Sequence, residues 1–450
     1  MSQENVSKTK ESTVHRSTRS QGRLAATAGI SILALSLSAC GGGSNDQGEG
    51  EGSGDEPITL TVATFNDFGY TDELLAQYTE EHPNVTVEQT VAARSEDART
   101  NLTTKLAAGG AGLADVEAIE IDWMPELSQY PDLFEDLADP EVEGRWVDWK
   151  VEQGTADGKL IGYGTDIGPE AICYRQDLFE EAGLPSEPDE VAELLGGEDA
   201  TWDDYFAAGE EFVKASDAAW YDVGTSIYQG MVNQVEAAYE NTDGTPIPLA
   251  ENSQVKDLYE TVTAQNEAGL SAGLEQWSDD WNAGFQKDAF ATMLCPAWMT
   301  GPIESNSGGI DGWNIADVFP GGGGNWGGSF LTVPASGENV EAAKELAKWL
   351  TAPEQQTAAF ENAGTFPSQI EAQESETVQS FTNEFMNGAP VGEIFTNRAA
   401  NIEVNPYKGP NYFSIHTTVQ DAILRVEVAK SDEPDASWEK ALSAYDELGL

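Results

Sequence analysis

Ile58-Thr-Leu-Thr-Val-Ala-Thr-Phe65, the run from Val85 to Val91, and Val116-Glu-Ala-Ile-Glu-Ile121 decide the fold. Each is short, rich in β-branched residues and alternating or continuously apolar, which predicts strands. Between the first two, residues 70–82 carry Leu74, Leu75 and Tyr78 at helical spacing and stop at Pro83. Residues 95–108 read as a second helix ending at Gly109-Gly110. Strand and helix in alternation point to an α/β architecture with a parallel sheet covered by helices. Ligands of such open sheets sit beyond the carboxyl ends of the strands. Asn66, Asp67 and Phe68, the segment from Glu120 to Trp123, and Asp166 are therefore the first places to look for a site.

Further along, residues 171–175, 290–294 and 330–333 read as strands. Residues 202–214, 253–268, 339–351, 414–430 and 436–447 read as helices. A chain of 450 residues is too long for one core and implies two or three lobes. With 40% hydrophobic residues and 12 Trp it can bury them. The formal net charge of −57 argues against nucleic acid and against docking on anionic lipid through the protein surface. The acids are scattered and read as a solvated surface, suited to high salt. Three cysteines exclude a disulfide-built mini-scaffold and a Cys-rich zinc module, three histidines (His15, His82, His416) leave little room for a His-based metal site, and no metal or cofactor is expected.

The amino terminus reads as an address. Lys8, Lys10, Arg16, Arg19 and Arg23 precede an apolar run from Leu24 to Ala39 that is too short to span a bilayer comfortably. Leu37-Ser38-Ala39-Cys40 resembles a bacterial lipobox, in which Cys40 is lipidated and residues 1–39 are removed. The alternative is an ordinary secretory leader with an incidental cysteine. Acyl chains on Cys40 would anchor the protein to the outer face of the cell membrane. Residues 40–56 are Gly- and acid-rich and form a flexible tether.

Two motifs invite catalytic readings and fail on context. Gly322, Gly324 and Gly327 satisfy G-x-G-x-x-G, but Phe319-Pro320 precedes them and a strand, not a helix, follows. Gly269-Leu-Ser271-Ala-Gly273 satisfies G-x-S-x-G, but a helix precedes it and only His416 lies downstream. Carboxylate pairs carry no signal in so acidic a chain.

Three stretches together resemble the extracellular solute-binding lipoproteins of carbohydrate ABC importers, the maltose-binding-protein-like family. They are Gly158 to Leu184 followed by Thr201-Trp202-Asp203; Phe285 to Trp298; and Asn325 to Pro334 with Trp349 to Pro353, Gln356 and Phe366-Pro-Ser368. Ala297 stands where the family has glycine, and Pro296 precedes it. The resemblance covers roughly residues 57–450. It implies the two-lobe periplasmic-binding-protein type II fold, with lobes joined by crossing strands and the ligand cleft between them. The expected lobes are 57–165 plus 329–372, and 166–328 plus 373–450. It implies a monomeric, non-enzymatic binding protein that closes on a sugar and delivers it to a membrane permease. A non-sugar solute and a lipid-anchored glycoside hydrolase are the alternatives. The segment from Tyr407 to Glu427 is similar to members that take short plant-derived oligosaccharides.

A sugar presents apolar C–H faces and a rim of hydroxyls, so its site needs flat aromatic rings and fixed polar groups. Trp298 and Trp326, beside glycines or at strand ends, are the leading candidates, with Trp281, Trp123 and Tyr412 behind them. Asp166, Asn66, Asp67 and Glu120 are the polar candidates. For every one of these residues the competing reading is core packing, capping or a solvated surface. Cys173 and Cys295 either pair as a disulfide or remain buried thiols.

Overall fold

The structure is a computed structural model and describes residues 57–450. The leader 1–39, Cys40 and the tether to residue 56 lie outside the described residues. In chain order the strands are β1 (Ile58–Phe65), β2 (Val85–Ala92), β3 (Val116–Glu120), β4 (Thr155–Ala156), β5 (Lys159–Leu160), β6 (Tyr163–Gly164), β7 (Glu170–Arg175), β8 (Ala219–Tyr221), β9 (Phe290–Pro296), β10 (Trp313–Ala316) and β11 (Ser329–Thr332). They build a five-stranded sheet in the order β2-β1-β3-β11-β6 and a four-stranded sheet in the order β10-β7-β9-β8. A hairpin pairs β4 with β5.

The first sheet is mixed, not wholly parallel as the opening stretches predict. β1 runs parallel to β2 and β3, but β11 is antiparallel to both β3 and β6. The reason is connectivity. β2 and β3 are reached through the helices Asp72–Glu81 and Ser95–Ala107, which return the chain to the same end of the sheet. β11 re-enters from the second sheet with no such crossover. The sequence reading also missed β8 and β10, each four residues or fewer.

Local chemistry explains the elements. β1 buries Leu60 and Val62 on one face. The Thr71 hydroxyl accepts from the Leu74 amide and starts the first helix. Thr201 and Asp204 form a reciprocal capping box for the helix Trp202–Ala215. In the helix Val340–Leu350 the buried residues are Ala343, Leu346, Ala347 and Leu350, one apolar stripe against the first sheet's core.

The second sheet is covered on both faces, and β7 shows how. Ile172 and Tyr174 point into a core shared with Phe212, Trp220 and the helix Tyr412–Glu427. Ala171 and Cys173 point the other way, into a core with Trp281, Trp313 and Phe366. On that face Cys173 and Cys295 are disulfide-bonded between adjacent strands, with their Cα atoms 5.4 Å apart.

Three segments cross between the sheets and pair with one another. Asp166 bridges to Pro367, and Pro169 bridges to Asn325. The Ile167 amide donates to Phe366 O at 2.9 Å, and the Trp326 amide donates to Gly168 O at 2.8 Å. A Cβ at Gly168 would lie 1.8 Å from Trp326 O, so only glycine permits this approach.

Candidate functional site

A cavity of about 500 Å³ opens where the strand ends, the crossing segments and the helix Tyr412–Glu427 meet. Asn66, Asp67, Glu120, Asp166, Trp298 and Trp326 all line it. Asn66 sits just past β1 at φ = 50°, and its Oδ1 is buried with no hydrogen-bond partner. The exposed Asp67 accepts from the Gly69 amide at 2.8 Å. Asp166 is buried in the crossing. Its Oδ1 accepts from the Thr165 hydroxyl at 2.7 Å and from the Ser329 amide at 2.9 Å.

Trp298 and Trp326 stand at right angles, their ring centres 5.6 Å apart. Trp298 Nε1 donates to Trp326 O at 2.8 Å, which locks the pair. The remaining aromatic candidates are placed elsewhere. Trp123 and Trp281 are fully buried and Tyr412 nearly so, and none of them lines the cavity. Trp123 packs on Phe65 within the first core. Trp281 lies on the buried side of the helix Asp279–Gly284. Tyr412 begins a helix whose buried residues include Ile415, His416, Val419 and Ile423, so helical spacing turns its ring to the core.

Sequence reasoning missed Trp277. It is half-buried, lines the cavity, and lies 6.2 Å and 23° from Trp298, extending the aromatic wall. Its available signal was a tryptophan inside the polar, aperiodic run Leu274 to Asp280. Also missed was the second face of the last long cleft helix. Phe413, Thr417, Gln420 and Leu424 line the cavity at spacings of four, three and four. Arg99 places its guanidinium 4.3 Å above Phe413 while pairing with Glu126.

Charge at the base of the site is mostly committed. Asp122, next to Glu120, forms a buried ion pair with Lys408. Burial, and then the neighbouring Asp122, push the Glu120 carboxyl well above its ordinary range. The Asp122 amide donates to Glu120 at 2.8 Å. Lys150 lies 1% exposed, its ammonium over the Phe330 ring at 4.0 Å and without a hydrogen-bond partner. Burial lowers it to about 8, partly offset by Asp166 and Glu120. Burial lowers His416 to about 4, so it is neutral. Both its ring nitrogens are taken, one by Tyr239 and one by Gln229. Ser271 donates to the Glu427 carboxylate at 2.9 Å. The G-x-S-x-G segment therefore presents a turn held by an acid, with no histidine at its serine.

The site thus pairs aromatic planes with hydrogen-bonding groups and lacks an assembled nucleophile and base. The chain matches the family model described as bacterial extracellular solute-binding protein over residues 73–385. It belongs to that family. This solute-binding protein is 22% identical over 257 residues to an arabinooligosaccharide-binding protein of Halalkalibacterium halodurans. That match covers 55% of each chain, so it spans about half the length of that relative. A crystal structure of an extracellular solute-binding protein family 1 member is 45% identical, covers 87% of this chain and 99% of its own, and has a TM-score of 0.76. The fold is also that of an ABC-transporter-associated binding protein from B. animalis subsp. lactis in complex with β-1,6-galactobiose. That structure is 19% identical with a TM-score of 0.73, and the match covers 87% and 97% of the two chains. As a member of an extracellular family of binding proteins, the chain acts outside the cytoplasm.

Proposed function

We propose that this solute-binding protein captures a short oligosaccharide between two lobes and delivers it to the membrane permease of an ABC importer. The observation that carries the reading is the aromatic corner of Trp298 and Trp326, extended by Trp277, in one cavity with Asn66, Asp67, Glu120 and Asp166. Aromatic planes cover the C–H faces of a pyranose or furanose, and the carboxylates and amide address its hydroxyls. About 500 Å³ lies within the usual range of about 300–1,000 Å³ for small-molecule sites and suits a few sugar rings. The arabinooligosaccharide and galactobiose bound by similar proteins support the class.

The lobes of this reading are 57–165 plus 329–372, and 166–328 plus 373–450, hinged at the crossing segments. A sugar touching both lobes favours the closed state by its extra contacts there. Lipidation of Cys40 would hold the body at the outer face of the membrane, with residues 40–56 as leash. Titration calorimetry against mono- to tetrasaccharides, including those of arabinose and galactose, tests the reading. Trp298→Ala and Trp326→Ala should each weaken binding by about 1–3 kcal/mol. No heat across the whole panel refutes the sugar. Unchanged affinity with a lowered melting temperature assigns the ring to packing.

A further inference from the structure

Trp277 stands in the left-handed region at φ = 68°. Tryptophan rarely adopts that conformation, and such backbone persists only where the surroundings enforce it. The surroundings here converge on one side chain. Asp222 follows β8 and is fully buried. Its Oδ2 accepts from Gln276 Nε2 at 2.8 Å and from Trp281 Nε1 at 2.9 Å. Its Oδ1 accepts from the Ser226 hydroxyl and the Val223 amide, both at 2.8 Å. The Leu274 amide donates to Asp222 O at 3.1 Å. The residue before Trp277 and the residue four after it are therefore pinned to the same oxygen atom.

A buried carboxylate without a cation is costly unless donors satisfy it. Three N–H donors point at it, from Val223, Gln276 and Trp281, and the Ser226 hydroxyl lies between its Oδ1 and Val223 O, 2.7 Å away; the three N–H groups hold both oxygens as acceptors. Asp222 does not line the cavity. Trp281, which it holds, packs its ring 5.2 Å from Trp277.

We propose that Asp222 is a positioning residue for ligand recognition: through Gln276 and Trp281 it fixes Trp277 against the cleft, setting the separation of Trp277 from Trp298 and hence which sugar ring fits. The proposal rests on the oligosaccharide reading for its consequence, though not for its geometry. Asp222→Asn keeps size but turns an amide N–H toward at least one donor. Gln276→Ala removes a single contact from a half-buried position and is the milder variant.

The first readout needs no ligand. The near-ultraviolet circular dichroism of Trp277 is the difference between wild type and Trp277→Phe. Asp222→Asn should lose that component, and Gln276→Ala should lose part of it. Neither should change the spectrum further in the Trp277→Phe background. The second readout is the affinity for arabinobiose and β-1,6-galactobiose. Asp222→Asn should weaken binding about tenfold, and the effect should vanish when Trp277 is already Phe. Retention of the full Trp277 signal in both variants overturns the proposal. So does an affinity loss that persists undiminished without Trp277. If Trp277→Phe binds both sugars as wild type does, or wild type binds neither, it is the oligosaccharide reading of this wall that fails. The dichroism still decides the role of Asp222.

Discussion

Replacing Lys408 by Met should expose how the base of the cleft is balanced. Met matches the length of the lysine stem and removes only the ammonium. In the native structure the Lys408 side chain is 4% exposed and that of its partner Asp122 is 12% exposed. Exposed ion pairs are worth about 0–1 kcal/mol, but removing one partner of a buried pair costs about 3–5 kcal/mol because the other charge is stranded. Asp122 would be stranded beside Glu120, whose carboxyl burial and Asp122 already push up. Loss of the ammonium raises it further. A carboxyl whose folded pKa lies above its unfolded value stabilises the fold at low pH, and that contribution is lost as pH rises through the folded value. The variant should therefore lose about 3–5 kcal/mol at pH 8 and less at pH 5, because a proton on the raised Glu120 carboxyl relieves its repulsion with Asp122. Urea unfolding followed by tryptophan fluorescence at both pH values measures this. Adding Asp122→Asn to the variant should recover most of the loss. A deficit below about 1 kcal/mol at pH 8, or one equal at both pH values, would show that the pair behaves as a solvated one.

Burial raises both Glu427 and Glu117 to about 7 from 4.5. Their folded forms hold the proton more tightly, so each favours folding below pH 4.5 and loses that contribution, about 3 kcal/mol, as pH rises through 7. Glu427→Gln should flatten this part of the urea-midpoint profile between pH 4.5 and 8, and an unchanged slope would count against the assignment. Gly328→Ala should cost about 2–4 kcal/mol, because φ is 109° and the new Cβ would sit 2.8 Å from Asp166 O and 2.9 Å from Lys150 Nζ. Gly322→Ala, at φ = 93° with open space, should cost only the backbone part, about 1–2 kcal/mol, so equal losses at the two positions would refute the crowding argument.

What could be read from the sequence follows from where each signal lives. β1, β2 and β3 announce themselves by alternation, and the positions just past them reach the cavity because strand ends open onto it. Trp298 and Trp326 were legible because they follow strand or glycine signals. Trp281 and Tyr412 are aromatic too but lie within α-helices, where one residue's rotation of about 100° decides between cleft and core, and Trp123, just past β3, packs on Phe65 instead of the cavity. Tyr412 shows the limit: its spacing to His416, Val419 and Ile423 was visible, and that stripe meant burial. Trp277 offered only its place in a polar, aperiodic run; its left-handed backbone is tied to Asp222, 55 positions earlier, and no local pattern encodes that. The antiparallel β11 was hidden for the same reason, since its direction depends on a return from the other sheet.

The acidity of the chain bears on ligand choice less than its size suggests. A net charge of −57 would favour a cationic solute only if the cleft acids were free to pair with it. Asp122 is already paired with Lys408, and Arg99 already pairs with Glu126. Asp166 is saturated on one oxygen by Thr165 and Ser329. Glu120 is held toward its neutral form by burial and by its neighbour. Asp67 and Glu275 also line the cavity and are exposed, but at its base a cation would have to displace Lys408 or compete with protons at Glu120, losing much of the Coulomb gain to desolvation. A hydroxyl needs neither: it donates to an oxygen that is already oriented and accepts from an amide such as that of Asn66. On the proposed reading the cleft carboxylates act as fixed hydrogen-bond acceptors, and the right-angled tryptophans give the site its shape.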